Sequence, residues 1–272
     1  MNYCDMMNKA WLLFFVVFIA SCSGKKGFPT FVTEKIPAED VIVKSNLQIA
    51  MFDTSRYSMQ NQVIQKQLDE LMISLEQFQN KNNDFILTNF ETQWEQFHIA
   101  AKDEMLNASN TKNWFQINGI LFQLTGNTKY AEELENLMYS GLPGDSLKVN
   151  NTIAPYIYTK YVDHIHVNLF TPSEINYNHS LGGKVKIWQE TGYTRSGDLE
   201  IHFKMEKERY VELFIRIPGW AAGATVTMEN VKYLTHPGEY SKIAKEWNNG
   251  DIVEIHFPMG NAPTYIKSHY KH

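Results

Sequence analysis

The spacing of apolar residues changes near Tyr156 from a helical period to a strand period, and this change constrains the fold more than any other feature. Before it, apolar side chains recur about every 3.6 residues, as on one face of a helix. Gly126 is placed to end the third such stretch, and Gly141 with Pro143 ends the fourth. We therefore predict four helices, at residues 59–78, 90–106, 110–126 and 129–139.

After Tyr156, apolar and polar residues alternate, as in strands with one buried face. Turn residues such as Gly182-Gly183 and Asn249-Gly250 separate the alternating segments. Several short strands at this spacing favour an antiparallel β-sandwich. The predicted fold class is α+β and multidomain, with a partial, α/α toroid-like helical segment followed by the sandwich. The alternating segments are residues 165–169, 184–188, 199–203, 211–217, 224–228 and 252–257.

The first 22 residues have the anatomy of a secretory signal. Lys9 precedes a short apolar run at residues 11–20, which ends in Ile19-Ala20-Ser21-Cys22. The run is too short for a bilayer, which takes about 20 apolar residues. A cysteine at the cleavage point resembles a bacterial lipoprotein signal and implies a lipid anchor on Cys22, whereas the alternative is an ordinary signal peptide with an incidental cysteine. The predicted location is the bacterial cell envelope, on the periplasmic or surface face of a membrane.

Composition excludes several classes of protein. The net charge is −5 and no basic block occurs, so nucleic acid is not an expected partner. The two cysteines are Cys4, in the discarded signal, and Cys22, so we expect neither a free thiol nor a disulfide in the mature protein. With 43% hydrophobic residues, the core alone is expected to stabilise the fold.

These patterns divide the chain into five parts. The helical part precedes the sandwich, and the change of period sets the boundary between them. The parts are a signal peptide at 1–21, a tether and N-terminal segment at 22–58, a helical domain at 59–156, a β-sandwich at 157–260 and a C-terminal tail at 261–272.

Several stretches of the strand half resemble, in order, the β-sandwich that follows the catalytic barrel in glycoside hydrolase family 127, the β-L-arabinofuranosidase-like group. That resemblance implies a barrel of six helix pairs, a zinc ion held by cysteines and a glutamate, and a cysteine nucleophile. The substrate it implies is a terminal β-linked arabinofuranose. The matching stretches are Val167-Asn168-Leu169-Phe170, Gln189-Glu190-Thr191-Gly192-Tyr193, Arg216-Ile217-Pro218-Gly219-Trp220, Glu246-Trp247-Asn248-Asn249-Gly250-Asp251 and Phe257-Pro258-Met259.

The chain departs from the family where the chemistry should be. Glu91 matches the ligand glutamate, but Gln93 stands where the resemblance implies a cysteine. Only residues 144–154 remain where the nucleophile segment is expected, and Asn150-Asn151 offers no thiolate. Four helices cannot close a toroid, and the family's last β domain is not expected here. We therefore expect impaired catalysis, no cofactor and no stoichiometric zinc.

Other residue pairs were weighed as sites. Glu91 and Glu95 share one helix face and Asp103-Glu104 follow them, which suits a carboxylate-dependent glycosidase but is more typical of a solvated face. His164 and His166 share a strand face and suit a metal, although a surface pair is the simpler interpretation. The remaining candidates are two tryptophans that suit sugar stacking but are favoured as sandwich packing, Trp220 and Trp247.

Three functions follow from these observations. The first is a non-catalytic carbohydrate-binding or accessory lipoprotein, with an arabinose-containing glycan as its ligand. The second is a residual hydrolase that uses carboxylates such as Glu91. The third is a structural protein whose open helical face is covered by a protein partner. The expected partners are accordingly the membrane, through the lipid anchor, a glycan and such a protein.

Overall fold

The protein is described by a computed structural model. Residues from Phe31 to His272 form one compact unit. The signal segment and Cys22 lie outside the described residues. In the part of the chain that is described, no helix combines the length and the hydropathy needed to cross a membrane. The structure describes residues 34–36, 40–44, 66, 69–71, 73, 91–99, 108–141 and 146–267.

The helices precede most of the sandwich. Residues 66, 69–71 and 73 are helical, as the first predicted stripe requires, and the rest of that stripe lies outside the described residues. The predicted helices at 110–126 and 129–139 are confirmed. The last long helix was not predicted and fills the short connection before the sandwich. The helices are residues 91–99 (α1), Ala108–Thr125 (α2), Thr128–Gly141 (α3), Ser146–Ile157 (α4) and Thr264–Lys267 (α5).

Twelve strands are described, and they form two sheets. The five-stranded sheet has the order β1-β3-β4-β8-β11, and the seven-stranded sheet has the order β10-β9-β12-β7-β6-β5-β2, with the bounds that follow. In chain order these are Glu34–Lys35 (β1), Val41–Val43 (β2), Tyr158–Tyr161 (β3), His164–Val167 (β4), Ser173–Asn178 (β5), Lys184–Thr191 (β6), Asp198–Met205 (β7), Arg209–Arg216 (β8), Thr225–Met228 (β9), Val231–Tyr233 (β10), Tyr240–Trp247 (β11) and Ile252–His256 (β12).

The pairing differs from the prediction in two respects. β4 runs parallel to β8, with Ile165 opposite Leu213, so the five-stranded sheet is mixed rather than purely antiparallel. β1 and β2 come from the segment predicted as a tether, and each adds an edge strand to one sheet. Strands of two and three residues are too short to produce a readable period, which is why the sequence did not predict them.

The sandwich core lies between the two sheets. Alternate residues of β7 and β12 are buried, as the period-two pattern predicts. Trp247 of β11 is fully buried and stacks on Phe203 of the other sheet, with ring centroids 3.8 Å apart. Its Nε1 donates a hydrogen bond of 2.9 Å to the carbonyl oxygen of Val211. A ring enclosed on both faces in this way has no face for a sugar, so Trp247 packs the core.

Candidate functional site

A buried polar network joins the helices to the sandwich. Arg216, at the end of β8, has its Nη2 atom 2.7 Å from Oε1 of Glu135 on α3, and both side chains have no exposed surface. Arg216 Nε donates to the carbonyl oxygen of Asn168 at 2.5 Å. The Tyr193 hydroxyl donates to the second carboxylate oxygen of Glu135 at 2.8 Å. Burial raises the pKa of Glu135, while the Arg216 charge opposes that rise.

Four of the five stretches that carry the family resemblance meet at this network. Asn168, Tyr193 and Arg216 each come from a different one of them, and Phe257 from another packs beside Tyr193 at 5.6 Å. Trp220 lies 6.1 Å from the Phe257 ring. Trp220 is half-buried, and its Nε1 has no hydrogen-bond partner among the described residues. These motifs therefore build the junction between helices and sandwich rather than a reaction centre.

Glu91 does not have the surroundings of a zinc ligand. Its Oε1 accepts a hydrogen bond of 3.2 Å from the Tyr130 hydroxyl and lies 3.4 Å from the Lys129 ammonium. The same ammonium is 3.8 Å from Oε1 of Glu95, which is mostly exposed. A cation already sits beside the carboxylate, and Gln93 is exposed and supplies no thiolate. The residues present do not fit the zinc that the resemblance implies.

The alternative carboxylate site is incomplete in the described residues. Glu91 and Glu95 are bridged by Lys129, whose ammonium lies 3.4 Å and 3.8 Å from their Oε1 atoms. Asp103-Glu104 lies outside the described residues. A glycosidase needs two carboxyl groups on either side of the scissile bond, whereas Glu91 and Glu95 lie one turn apart on the same helix and share one lysine.

The histidine pair on β4 is split between two environments. His166 is buried and stacks on Phe214, with centroids 4.4 Å apart and ring planes 9° apart. Burial, with a smaller contribution from His164, lowers the pKa of His166 to about 4. His164 is 45% exposed and its Nε2 lies 3.6 Å from Oε2 of Glu212, which Lys242 also contacts at 2.7 Å. The pair serves packing and surface ion pairing instead of metal binding.

The third alternative predicts an exposed apolar face on the helices. In the described helical residues, Ile73 and Ile99 are large apolar side chains with 55% and 67% exposure. Isolated exposed apolar residues are normal on protein surfaces. Two such residues do not establish a docking face.

A groove lies at one end of the seven-stranded sheet, over β5, β6 and β7. Its volume is about 630 Å³. Tyr177 is one of its lining residues, and the buried Tyr177 hydroxyl has no hydrogen-bond partner among the described residues. Burial raises the pKa of Tyr177, so this hydroxyl stays neutral. Tyr177, Val185 and Met205 are register partners and share the core face of the sheet. The other lining residues are polar and alternate onto the outer face, namely Asn176, Asn178, Lys184, Lys186, Lys204 and Glu206.

Sequence reasoning missed this groove because its residues belong to no motif. The alternation did place Lys184 and Lys186 on the outward face of a strand. However, the groove forms only when the register sets Asn176 opposite Lys186, and Lys186 opposite Lys204. Register across three strands cannot be read from alternation alone.

The architecture defines a class, namely a helical segment joined by a buried ion pair to a β-sandwich of the kind found in glycoside hydrolases. Residues 164–259 match the family model described as beta-L-arabinofuranosidase, GH127 middle domain. Through this domain the chain is related to glycoside hydrolase family 127. A search of curated proteins finds no match.

Some solved structures are similar to this chain as well. A glycoside hydrolase matches with a TM-score of 0.50 and 21% identity, over 56% of this chain and 32% of that chain. A GH127 beta-arabinofuranosidase matches with a TM-score of 0.49 and 22% identity, over 56% of this chain and 32% of that chain. A GH127 beta-L-arabinofuranosidase from Geobacillus stearothermophilus T6 matches with a TM-score of 0.47 and 24% identity, over 55% of this chain and 31% of that chain. At these identities the first match shows a shared fold, and the chain covers about a third of each of these structures.

Proposed function

We propose that this chain is a non-catalytic, glycan-binding accessory lipoprotein related to family 127, held on a bacterial membrane by a lipid on Cys22. The observation that carries the proposal is the groove over β5, β6 and β7, along which exposed amide, ammonium and carboxylate side chains lie on the outer face of the sheet. A ligand rich in hydroxyl groups would both donate hydrogen bonds to these groups and accept hydrogen bonds from them.

The composition of the groove suits a sugar. Asn176 and Asn178 are exposed amides, and an amide both donates and accepts hydrogen bonds. Lys204 and Glu206 add a cationic donor and an anionic acceptor. A volume of about 630 Å³ is within the range of pockets that hold small ligands, roughly 300 to 1,000 Å³. By analogy with the names of the matched structures, we propose that the glycan contains arabinose.

Catalysis is left out of the proposal because this sequence has no nucleophile in place. Cys4 and Cys22 are its two cysteines, and both lie in or beside the predicted signal. The carboxylate of Glu91 is already engaged by Lys129 and Tyr130. A thiolate mechanism requires a thiolate within reach of the sugar, and no described residue offers one.

Calorimetric titration of the full chain in detergent with an arabinose-containing oligosaccharide tests the proposal. We expect saturable binding that Asn178→Ala weakens about tenfold, because the substitution removes one amide that hydrogen-bonds the sugar. Asn248→Ala is the matched control, since Asn248 is an exposed amide outside the groove. Absence of saturable binding by the wild-type chain, or equal binding by both variants, contradicts the proposal.

A further inference from the structure

Three metal-ligating side chains converge on the outer face of the seven-stranded sheet, and none of them lines the groove. Glu190 of β6 and Glu200 of β7 are direct cross-strand partners. His202 lies two residues beyond Glu200 and therefore on the same face. One donor atom from each of the three residues lies within 4.8 Å of the others.

The pairing of the two glutamates favours a cation between them. Like charges directly opposite each other on neighbouring strands destabilise a sheet. Glu254 of β12 is the register partner of Glu200 on its other side, so three carboxylates cross the sheet in one row. Thr227 of β9 continues the row and brings no positive charge.

His202 directs a nitrogen towards the carboxylates. Its side chain is 12% exposed, and Nε2 lies 3.0 Å from Oε2 of Glu200 and 3.9 Å from Oε1 of Glu190. Despite these distances, Nε2 has no aligned hydrogen-bond partner among the described residues. An imidazole nitrogen that faces two carboxylates without hydrogen-bond alignment has the geometry of a metal ligand.

Trp188 fixes the orientation of two of the three donors. Its ring stacks on His202, with centroids 4.8 Å apart and planes 9° apart. Its Nε1 donates a hydrogen bond of 3.0 Å to Oε1 of Glu190. Outer groups that orient metal ligands in this way raise metal affinity.

We propose that Glu190, Glu200 and His202 bind one divalent transition-metal ion of the zinc class, with Trp188 as a positioning residue. Two carboxylate oxygens and one imidazole nitrogen suit zinc, and water completes the coordination. The site borders the proposed glycan groove, since Lys186 of the groove lies 5.9 Å from the Trp188 ring, but it shares no residue with the groove. It also revises the expectation that the chain binds no zinc, because that expectation concerned thiolate ligands near Glu91.

Titration of the metal-free full chain in detergent with zinc chloride tests the site. We expect one zinc ion per chain, and at least about tenfold weaker binding in His202→Gln and in Glu190→Gln. Glu190 is 65% exposed, so its variant is expected to fold normally. The matched control is His256→Gln, because His256 pairs with Asp198 on the same sheet outside the cluster.

The positioning role has its own variant. Trp188→Phe keeps an aromatic ring beside His202 but removes the N–H that holds Glu190, so we expect zinc affinity between those of the wild type and Glu190→Gln. Thermal unfolding in chelator shows whether each variant is folded. Wild-type protein that binds no zinc, or zinc binding equal in His202→Gln and His256→Gln, overturns the site.

Discussion

Arg216 of β8 and Glu135 of α3 form an ion pair of 2.7 Å in which neither side chain is exposed to solvent. The pair links α3 to the sandwich. Two neutral groups complete it, since the carbonyl of Asn168 accepts from Arg216 and the Tyr193 hydroxyl donates to Glu135. These hydrogen bonds offset part of the desolvation that a buried pair incurs, while Arg216 Nη1 is buried with no hydrogen-bond partner among the described residues.

Breaking this pair is expected to destabilise the protein strongly. Arg216→Met leaves the Glu135 carboxylate buried without a counter-charge, and we expect a loss of about 3–5 kcal/mol in the free energy of unfolding by urea titration. Lys66→Met is the control, because Lys66 and Glu70 form an exposed pair. That variant should lose less than about 1 kcal/mol. Equal losses would contradict a structural role for the buried pair.

The sequence predicted one half of this relationship. The stretch containing Arg216 indicated the family, but its partner Glu135 lies 81 residues away on a helix whose pattern is otherwise ordinary. Glu135 is buried despite its charge, and no periodicity identifies which glutamate of a helix will be paired in this way. The long-range contact was therefore outside what local patterns predict.

Local patterns succeeded where elements are long. The helix at Thr128–Gly141 and the strand at Asp198–Met205 follow their periods closely. The helix at Ser146–Ile157 was missed because Asn150-Asn151 and Pro155 disfavour helix locally. The row formed by Glu190 and Glu200 was missed because it depends on register between strands.

Gly197 is expected to be intolerant of a side chain. Its φ is 75°, and a Cβ there would lie 2.1 Å from the carbonyl oxygen of Phe257. Gly238 has a similar φ of 81°, with no atom within 4 Å of a Cβ. Both alanine variants incur the strain of a positive φ, so the clash should make Gly197→Ala less stable than Gly238→Ala by about 1–3 kcal/mol in urea titrations. Indistinguishable variants would show that the turn at Gly197 moves freely.

His166 is expected to make stability depend on pH. Its pKa in the folded protein is about 4, below the ordinary value of 6.5. Between these values the unfolded chain binds a proton that the folded chain does not, so the free energy of unfolding falls as pH falls through this window. We expect His166 to account for about 2 kcal/mol of the difference between about pH 7.5 and about pH 5.

The pH effect is checked with two substitutions on neighbouring strands. His166→Phe keeps the stacking on Phe214 and removes the titrating group, so the difference in unfolding free energy between the two pH values should shrink. Phe214→Leu weakens packing at both pH values and should leave most of that difference intact. A difference unchanged in His166→Phe would assign the pH dependence to other groups.

Cys22 is predicted to carry the lipid anchor. The motivation is the apolar run that ends in Ile19-Ala20-Ser21-Cys22. In a bacterial host fed a fatty-acid analogue, we expect labelling of the wild type and of Cys4→Ser, and loss of labelling in Cys22→Ser. Labelling that persists in Cys22→Ser would remove the lipoprotein interpretation.

The central claim, a relative of family 127 that binds glycans without cleaving them, is tested most directly with a chromogenic β-L-arabinofuranoside. The measurement is chromophore release by the full chain in detergent, beside Glu91→Gln. We expect no release above the protein-free rate for either form, because loss of a catalytic nucleophile lowers rates by several orders of magnitude. Turnover by the wild type that disappears in Glu91→Gln would contradict the claim and establish carboxylate-dependent hydrolysis.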